Sequence, residues 1–166
     1  MNAFSRMATH LMTTTSAGRR AFPAETLTAI EHAIAAGETR HRAEVRLIVE
    51  PALPIHATWD GVTSRDRAND LFAHYRIWDT EENCGVLIYI NLADRKVEIV
   101  ADRTVGRLID AEQWQAICRT MTQGFARGAF HDSTLAGITQ LNALLETRLP
   151  ADGSRPNQLS NEPILI

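Results

Sequence analysis

Oxygen-bearing side chains stand on either side of two apolar segments in the middle of the sequence. Four precede the first segment and one follows the second: Asp79, Glu81, Glu82, Asn83 and Asp102. Carboxylate and amide oxygens are the ligands that hard cations such as Ca²⁺ and Mg²⁺ require. These side chains form a metal site only if the fold brings the two groups together; otherwise they are ordinary solvated strand ends.

The residues between the two groups have the pattern of a β-hairpin. The run GVLIYI (85–90) is almost continuously apolar, which indicates a central strand covered on both faces. KVEIVA (96–101) alternates apolar and polar residues, and the NLADR between them is typical of a turn. Antiparallel pairing places the start of one strand beside the end of the next, so with the turn near Ala93 we predict that Cys84 lies roughly opposite Asp102. The acidic and amide groups would then share one edge of the sheet.

The remaining segments alternate helices with one strand. Residues 45–49 alternate as a strand does, and Pro51 ends it. Apolar residues recur at helical spacing in four segments, which are 22–38, 63–78, 110–128 and 131–150. A strand–helix–strand crossover gives a parallel pair, and the hairpin adds an antiparallel neighbour. We therefore predict an α/β fold, a three-layer α/β/α sandwich with a mixed sheet made of a parallel crossover pair plus an antiparallel hairpin strand.

Three parts follow one another along the chain. A helical N-terminal segment (1–21) precedes the α/β domain (22–150), and a tail rich in Pro, Asn, Ser and Gly (151–166) is expected to be flexible. The 166 residues suffice for one domain with a core, and the net charge of -3 argues against a nucleic-acid binder. No apolar run approaches the roughly 20 residues that span a bilayer, so we expect no transmembrane segment and a cytoplasmic location.

Phosphatase chemistry is restricted by the residues present. A thiolate phosphatase needs Arg six residues after its Cys, but Gly124 and Ile90 stand at those positions. Hydrolysis by a metal-activated water remains, with Asp102 and Glu81 or Asp79 as metal ligands. Arg103 is expected at the same sheet edge, where its guanidinium could bind a phosphate or relieve repulsion between carboxylates.

Two other locations remain open. Trp59, on a loop after the first strand, either binds a partner or packs back onto the core. His41 and Glu44 lie at the start of the first strand, and parallel strands begin at the same edge. These two residues could therefore approach the acidic group.

The stretch WDTEENCGVLIYINLADRKVEIVADRTVG (78–106) resembles the TPM domain family. Asn-x-Gly-Val-Leu-Ile running into Val-Glu-Ile-Val-Ala-Asp-Arg is fairly specific to that family, and the resemblance extends over residues 22–150. The acidic-Asn-Gly turn of the family is present as Glu82-Asn83-Cys84-Gly85. The Gly-rich stretch that commonly follows the hairpin is replaced by DRTVGRLID, so the resemblance carries over only Asn83 and Asp102 as ligands.

The resemblance implies an α/β/α sandwich, and this chain looks like a short soluble bacterial member of the family. Some members of the family bind divalent cations, and some plant members are described as weak acid phosphatases. We accordingly expect a domain that binds a divalent cation, Ca²⁺ or Mg²⁺, at the acidic sheet edge and serves as an interaction, assembly or quality-control module. Its partner would be another protein, including a membrane-associated one. The alternative is a weak metal-dependent acid phosphatase acting on phosphomonoesters.

Overall fold

The computed structural model describes residues 3–166. Within them, eight helices and four strands follow in the order α1 (Ala3–Met12), α2 (Thr15–Ala21), α3 (Ala24–Glu38), β1 (Glu44–Glu50), α4 (Ile55–Trp59), α5 (Ser64–His74), β2 (Gly85–Asn91), β3 (Lys96–Ala101), α6 (Arg103–Gly106), α7 (Ala111–Phe125), α8 (Phe130–Arg148) and β4 (Ile164–Leu165). In this part of the chain, no helix is both long enough and apolar enough to cross a membrane.

The sheet is mixed, with strand order β3-β2-β1-β4. β1 and β2 are parallel from the pair Glu44–Gly85 onwards, and β3 is antiparallel to β2. β4 adds a short parallel pairing on the outer side of β1. β2 is buried at every residue because it is covered on both faces, as its continuous apolar run predicts. The α/β sandwich expected from the sequence is confirmed.

Two hydrophobic cores lie on opposite faces of the sheet. The larger one joins alternate residues of β1, β2 and β3 to apolar residues of α3, α7 and α8, such as Ile34, Met121 and Leu141. The smaller one joins the other face to α5, where Leu71 packs near Ile48. Successive strand residues point to opposite faces, and this alternation makes the three layers.

The helix starts agree with the sequence, whereas other details differ. Thr63 forms a capping box with Asp66 at α5, and Asp110 begins α7 in the same way.

The loop expected after β1 contains the short helix α4, on which Trp59 is 77% exposed and does not pack back onto the core. Trp59 therefore stays available for contact with other molecules.

The C-terminal segment lies along the outer side of β1. Residues 155–166, called here the C-terminal strap, run without regular structure until β4. Before the strap, Pro150 forms an isolated bridge with His41, and the Ala151 amide donates to the Arg40 carbonyl. The strap therefore begins beside the start of β1 and ends in β4.

Candidate functional site at the hairpin edge

The hairpin brings two of the predicted ligands to one edge of the sheet. Val86 pairs with Ala101, and the Asp102 amide donates to the Gly85 carbonyl at 2.9 Å. Gly85, rather than the predicted Cys84, is therefore opposite Asp102. Gly is required there because a Cβ atom on residue 85 would lie 1.8 Å from the Ile77 carbonyl oxygen. We call residues 82–85 and 102–104 together the hairpin edge.

Asp102 provides a buried carboxylate with one unused oxygen. The residue is 9% exposed, and its Oδ1 accepts a hydrogen bond of 2.6 Å from the Arg103 amide. Oδ2 is buried without a hydrogen-bond partner. A buried carboxylate oxygen without a partner costs free energy, and a water molecule or an ion is the kind of group that supplies the missing partner.

Asn83 faces the same edge in a conformation that few residues adopt. Its φ of 52° is left-handed, which Asn tolerates better than most side chains. Its Oδ1 accepts from Arg103 Nη2 at 3.3 Å, and its carbonyl accepts from the Thr104 amide at 3.1 Å. The Thr104 hydroxyl donates to the Glu82 carbonyl at 2.6 Å. These bonds hold the two halves of the edge together.

Glu82 reaches the edge, but its carboxylate is held by two arginines. Arg42 Nη1 donates to one oxygen at 2.8 Å, and Arg155 Nη1 donates to the other. Arg42 precedes β1, so the parallel start of β1 and β2 brings it there. His41 and Glu44 line one cavity together with Glu82, as expected from the sequence, but they hydrogen-bond to Asn142 and to the C-terminal strap. Sequence reasoning identified the shared edge and missed both arginines.

Asp79 and Glu81 are not brought into the group. Asp79 Oδ2 accepts from Arg76 Nη2 at 2.6 Å in an exposed ion pair. Glu81 is exposed, and its amide donates to Gln158 Oε1 at 2.8 Å. Across residues 3–166, no three His, Cys, Asp or Glu side chains converge closely enough to hold a metal ion. The hairpin edge therefore offers one free carboxylate oxygen together with neutral amide and carbonyl oxygens.

A polar cavity of about 300 Å³ lies beside the hairpin edge, between the end of α3 and the C-terminal strap. Two effects act on the pKa of Glu38. Burial raises it, a hydrogen bond from the Val45 amide lowers it, and burial prevails, so the pKa is about 7. Burial also raises the pKa of the Cys84 thiol, which donates to the Arg42 carbonyl at 3.1 Å. A thiol with a raised pKa is a poor nucleophile, so Cys84 is a packing residue.

The sequence of this chain matches the family model of the TPM domain over residues 18–144. The chain belongs to the TPM domain family. Of solved structures, the NMR structure of the BA42 protein from the psychrophilic bacterium Bizionia argentinensis is similar, with a TM-score of 0.76 and 24% identity over 87% of this chain and 94% of that one. At this identity the likeness supports the TPM fold alone. No curated protein matches the chain.

Proposed function

We propose that this TPM domain binds a divalent cation at the hairpin edge and acts as a protein-interaction module. The observation that carries the proposal is Asp102 Oδ2, a buried carboxylate oxygen without a partner. Asn83 Oδ1 and the carbonyl oxygens of residues 82 and 83 stand at the same edge. Each accepts one hydrogen bond and keeps a second lone pair, which makes it a neutral ligand of the kind Ca²⁺ accepts.

The composition of the edge predicts weak binding. Ca²⁺ affinity falls as fewer charged ligands are supplied, down to dissociation constants of roughly 10⁻⁴–10⁻³ M. Only Asp102 offers a free carboxylate oxygen, since Glu82 is paired with Arg42 and Arg155. Glu82 can join the ligands only by leaving these arginines. Asp79 and Glu81, which the sequence suggested as ligands, lie outside the proposed site.

Thermal melting with and without Ca²⁺ or Mg²⁺ tests the proposal. An ion at a tenfold excess over its dissociation constant stabilises the folded state by about 1.4 kcal/mol. For a domain of this size, that corresponds to a rise in the melting temperature of about 3–6 °C. Asp102→Asn keeps an acceptor for the Arg103 amide and removes the charge, so this variant should show no rise.

Asp79→Asn is the matched control because it removes the same charge from an exposed ion pair a few residues away. The control should respond to the cation as the unmodified protein does. Equal shifts in the two variants, or no shift in the unmodified protein at 10 mM ion, would contradict the proposal.

A weak metal-dependent acid phosphatase is the second candidate. Arg103 favours it, because its side chain is 76% exposed and its Nε lies 3.9 Å from Asp102 Oδ1. A guanidinium beside a metal ligand could orient a phosphomonoester. Turnover of a generic phosphomonoester with Mg²⁺, Mn²⁺ or Ca²⁺ that is lost in Asp102→Asn would support hydrolysis. Cation binding without turnover would leave the interaction module as the function.

A further inference from the structure

The outer side of β1 is incompletely paired. On its inner side, all seven residues of β1 are in register with β2. On its outer side, β4 is in register only with Ile48 and Val49. A strand edge with open N–H and C=O groups is a template for another extended chain. The C-terminal strap covers this edge in the structure.

The strap is anchored through backbone groups and through the side chains of Arg155, Gln158 and Asn161, which contact Glu82, the Glu81 amide and Glu38. Glu44 Oε2 accepts hydrogen bonds from the amides of Gln158 and Leu159 at 3.2 and 3.0 Å. At the other end, the Ile166 amide donates to the Val49 carbonyl at 3.0 Å. Arg46 Nη1 donates to the Ser160 carbonyl. The contacts to backbone groups do not depend on the side chains of the strap, so another extended peptide of similar shape can make them.

The strap rests on the domain and is only partly incorporated into its cores. Pro163 is buried, but Ile164, Leu165 and Ile166 are only partly buried, whereas their sheet neighbours Ile48 and Val49 are fully buried. The strap also leaves the polar cavity beside Glu44 unfilled. Residues 151–154, which lead into the strap, are exposed, and the family match ends before them at residue 144. A segment held in this way can leave without dismantling the sheet.

We propose that the outer edge of β1 is a docking surface for an extended apolar segment of a partner protein, and that the C-terminal strap occupies it in cis. This inference rests on the proposed role as an interaction module and names its surface. It does not depend on the cation.

The chemistry of the edge defines the partner segment. Ile164 and Ile166 pack against the smaller core and Leu165 against the larger one, so the partner needs apolar residues at successive positions. About five residues upstream it must present free backbone amides to Glu44. The carboxylate of Glu44, which accepts from those amides, disfavours acidic side chains beside it.

A peptide with the sequence of residues 157–166 is the probe, labelled with a fluorophore and followed by fluorescence anisotropy in EDTA. The protein is the full chain carrying Ile164→Asp and Leu165→Asp, which weakens the strap in cis and leaves β1 unchanged. We expect this variant to bind the peptide at least tenfold more tightly than the unmodified protein does. A peptide with the same two Asp substitutions should not bind.

Glu44→Ala in the weakened background tests the anchor, with Glu146→Ala as the matched control. Glu146 forms an exposed ion pair with Arg40 and does not contact the strap. Loss of the two bonds to backbone amides should weaken peptide binding about tenfold in Glu44→Ala and leave it unchanged in Glu146→Ala. Equal affinities in these two variants would overturn the assignment of the surface.

Hydrogen exchange at the Ile166 amide reports whether the strap has left β1. If the substituted strap stays bound, a protease site is inserted between Gly153 and Ser154. The strap is then cut from the domain and displaced from β1 by an excess of the peptide. Failure of the peptide to bind the released edge, or to replace the cut strap, would overturn the proposal. Dimers with exchanged straps would also overturn it, because the occupant would then be a second copy. Failure of the cation proposal would appear separately, as unchanged melting with Ca²⁺.

Discussion

Glu38→Gln should stabilise the protein increasingly, relative to the unmodified protein, as pH rises from 4.5 to 8. Glu38 stands at the end of α3, where Oε1 accepts from the Val45 amide at 2.8 Å and Oε2 accepts from Asn161 of the C-terminal strap at 2.8 Å. Burial raises the pKa of its carboxyl from 4.5 to about 7, and the nearby charge of Glu44 raises it further. The folded protein therefore favours the protonated form.

The sign and the size of the effect follow from this pKa. Between pH 4.5 and about 7 the folded state binds more protons at Glu38 than the unfolded state does, so stability falls as pH rises. A pKa raised from 4.5 to about 7 corresponds to ~3 kcal/mol. Gln is neutral at every pH, so the free energy of unfolding of the variant should rise by about this amount relative to the unmodified protein between pH 4.5 and 8. The Gln amide nitrogen faces one of the two N–H donors, and the cost of that contact is the same at every pH.

Urea denaturation at pH 4.5, 6 and 8 measures the difference. Other groups titrate in both proteins and largely cancel when the two free energies of unfolding are subtracted. The reasoning predicts a difference that grows by about 3 kcal/mol with pH, with most of the change between pH 5 and 7. Free energies of unfolding that run parallel across this range would refute it.

Three further perturbations have defined outcomes. Burial opposes ionisation of Asp94, but hydrogen bonds from two basic side chains of α1 prevail and lower its pKa to about 2. Asp94→Asn should therefore lower the free energy of unfolding by about 2 kcal/mol at pH 7, as measured by urea denaturation. The difference between the two proteins should disappear as pH falls from 4 to 2. Arg155→Ala releases one partner of Glu82 and should tighten Ca²⁺ binding by up to roughly fivefold in calorimetry, since an exposed ion pair contributes up to ~1 kcal/mol; weaker binding would contradict this. Gly85→Ala places a Cβ against the Ile77 carbonyl and should lower the free energy of unfolding by ~3 kcal/mol or more, whereas an unchanged value would mean that the approach is not tight.

The sheet could be predicted because its strands carry strong local signals. The continuous apolar run of β2 and the alternation in β1 and β3 determine which strand is central, and the polar turn determines the fold-back. The register was missed by one residue, since Gly85 rather than Cys84 lies opposite Asp102. Gly85 is needed because the carbonyl group of Ile77 lies directly against it. The sequence of the hairpin alone does not show that Ile77 comes so close.

The candidate site was only partly predictable for a related reason. The fold-back was enough to bring Asn83 and Asp102 to one edge. The pairing of Glu82 with Arg42 and Arg155 depends on contacts over 40 and 73 residues, which no local pattern reveals. Residues 151–166 have the composition of a loose tail, but the structure places the strap along β1 through bonds to Glu38 and Glu44. Long-range side-chain contacts of this kind are fixed by the tertiary structure.

A calcium titration of the ¹⁵N-labelled protein followed by NMR tests the central claim most directly, because it reports both binding and location. Asn83 carries a side-chain amide whose oxygen faces the edge, and Gly85 is opposite Asp102 in the hairpin. The account predicts saturable shifts of the Asn83 side-chain amide and the Gly85 backbone amide, with a midpoint of roughly 10⁻⁴–10⁻³ M, that disappear in Asp102→Asn. Shifts centred on Asp79 and Glu81, or shifts that persist in Asp102→Asn, would contradict it.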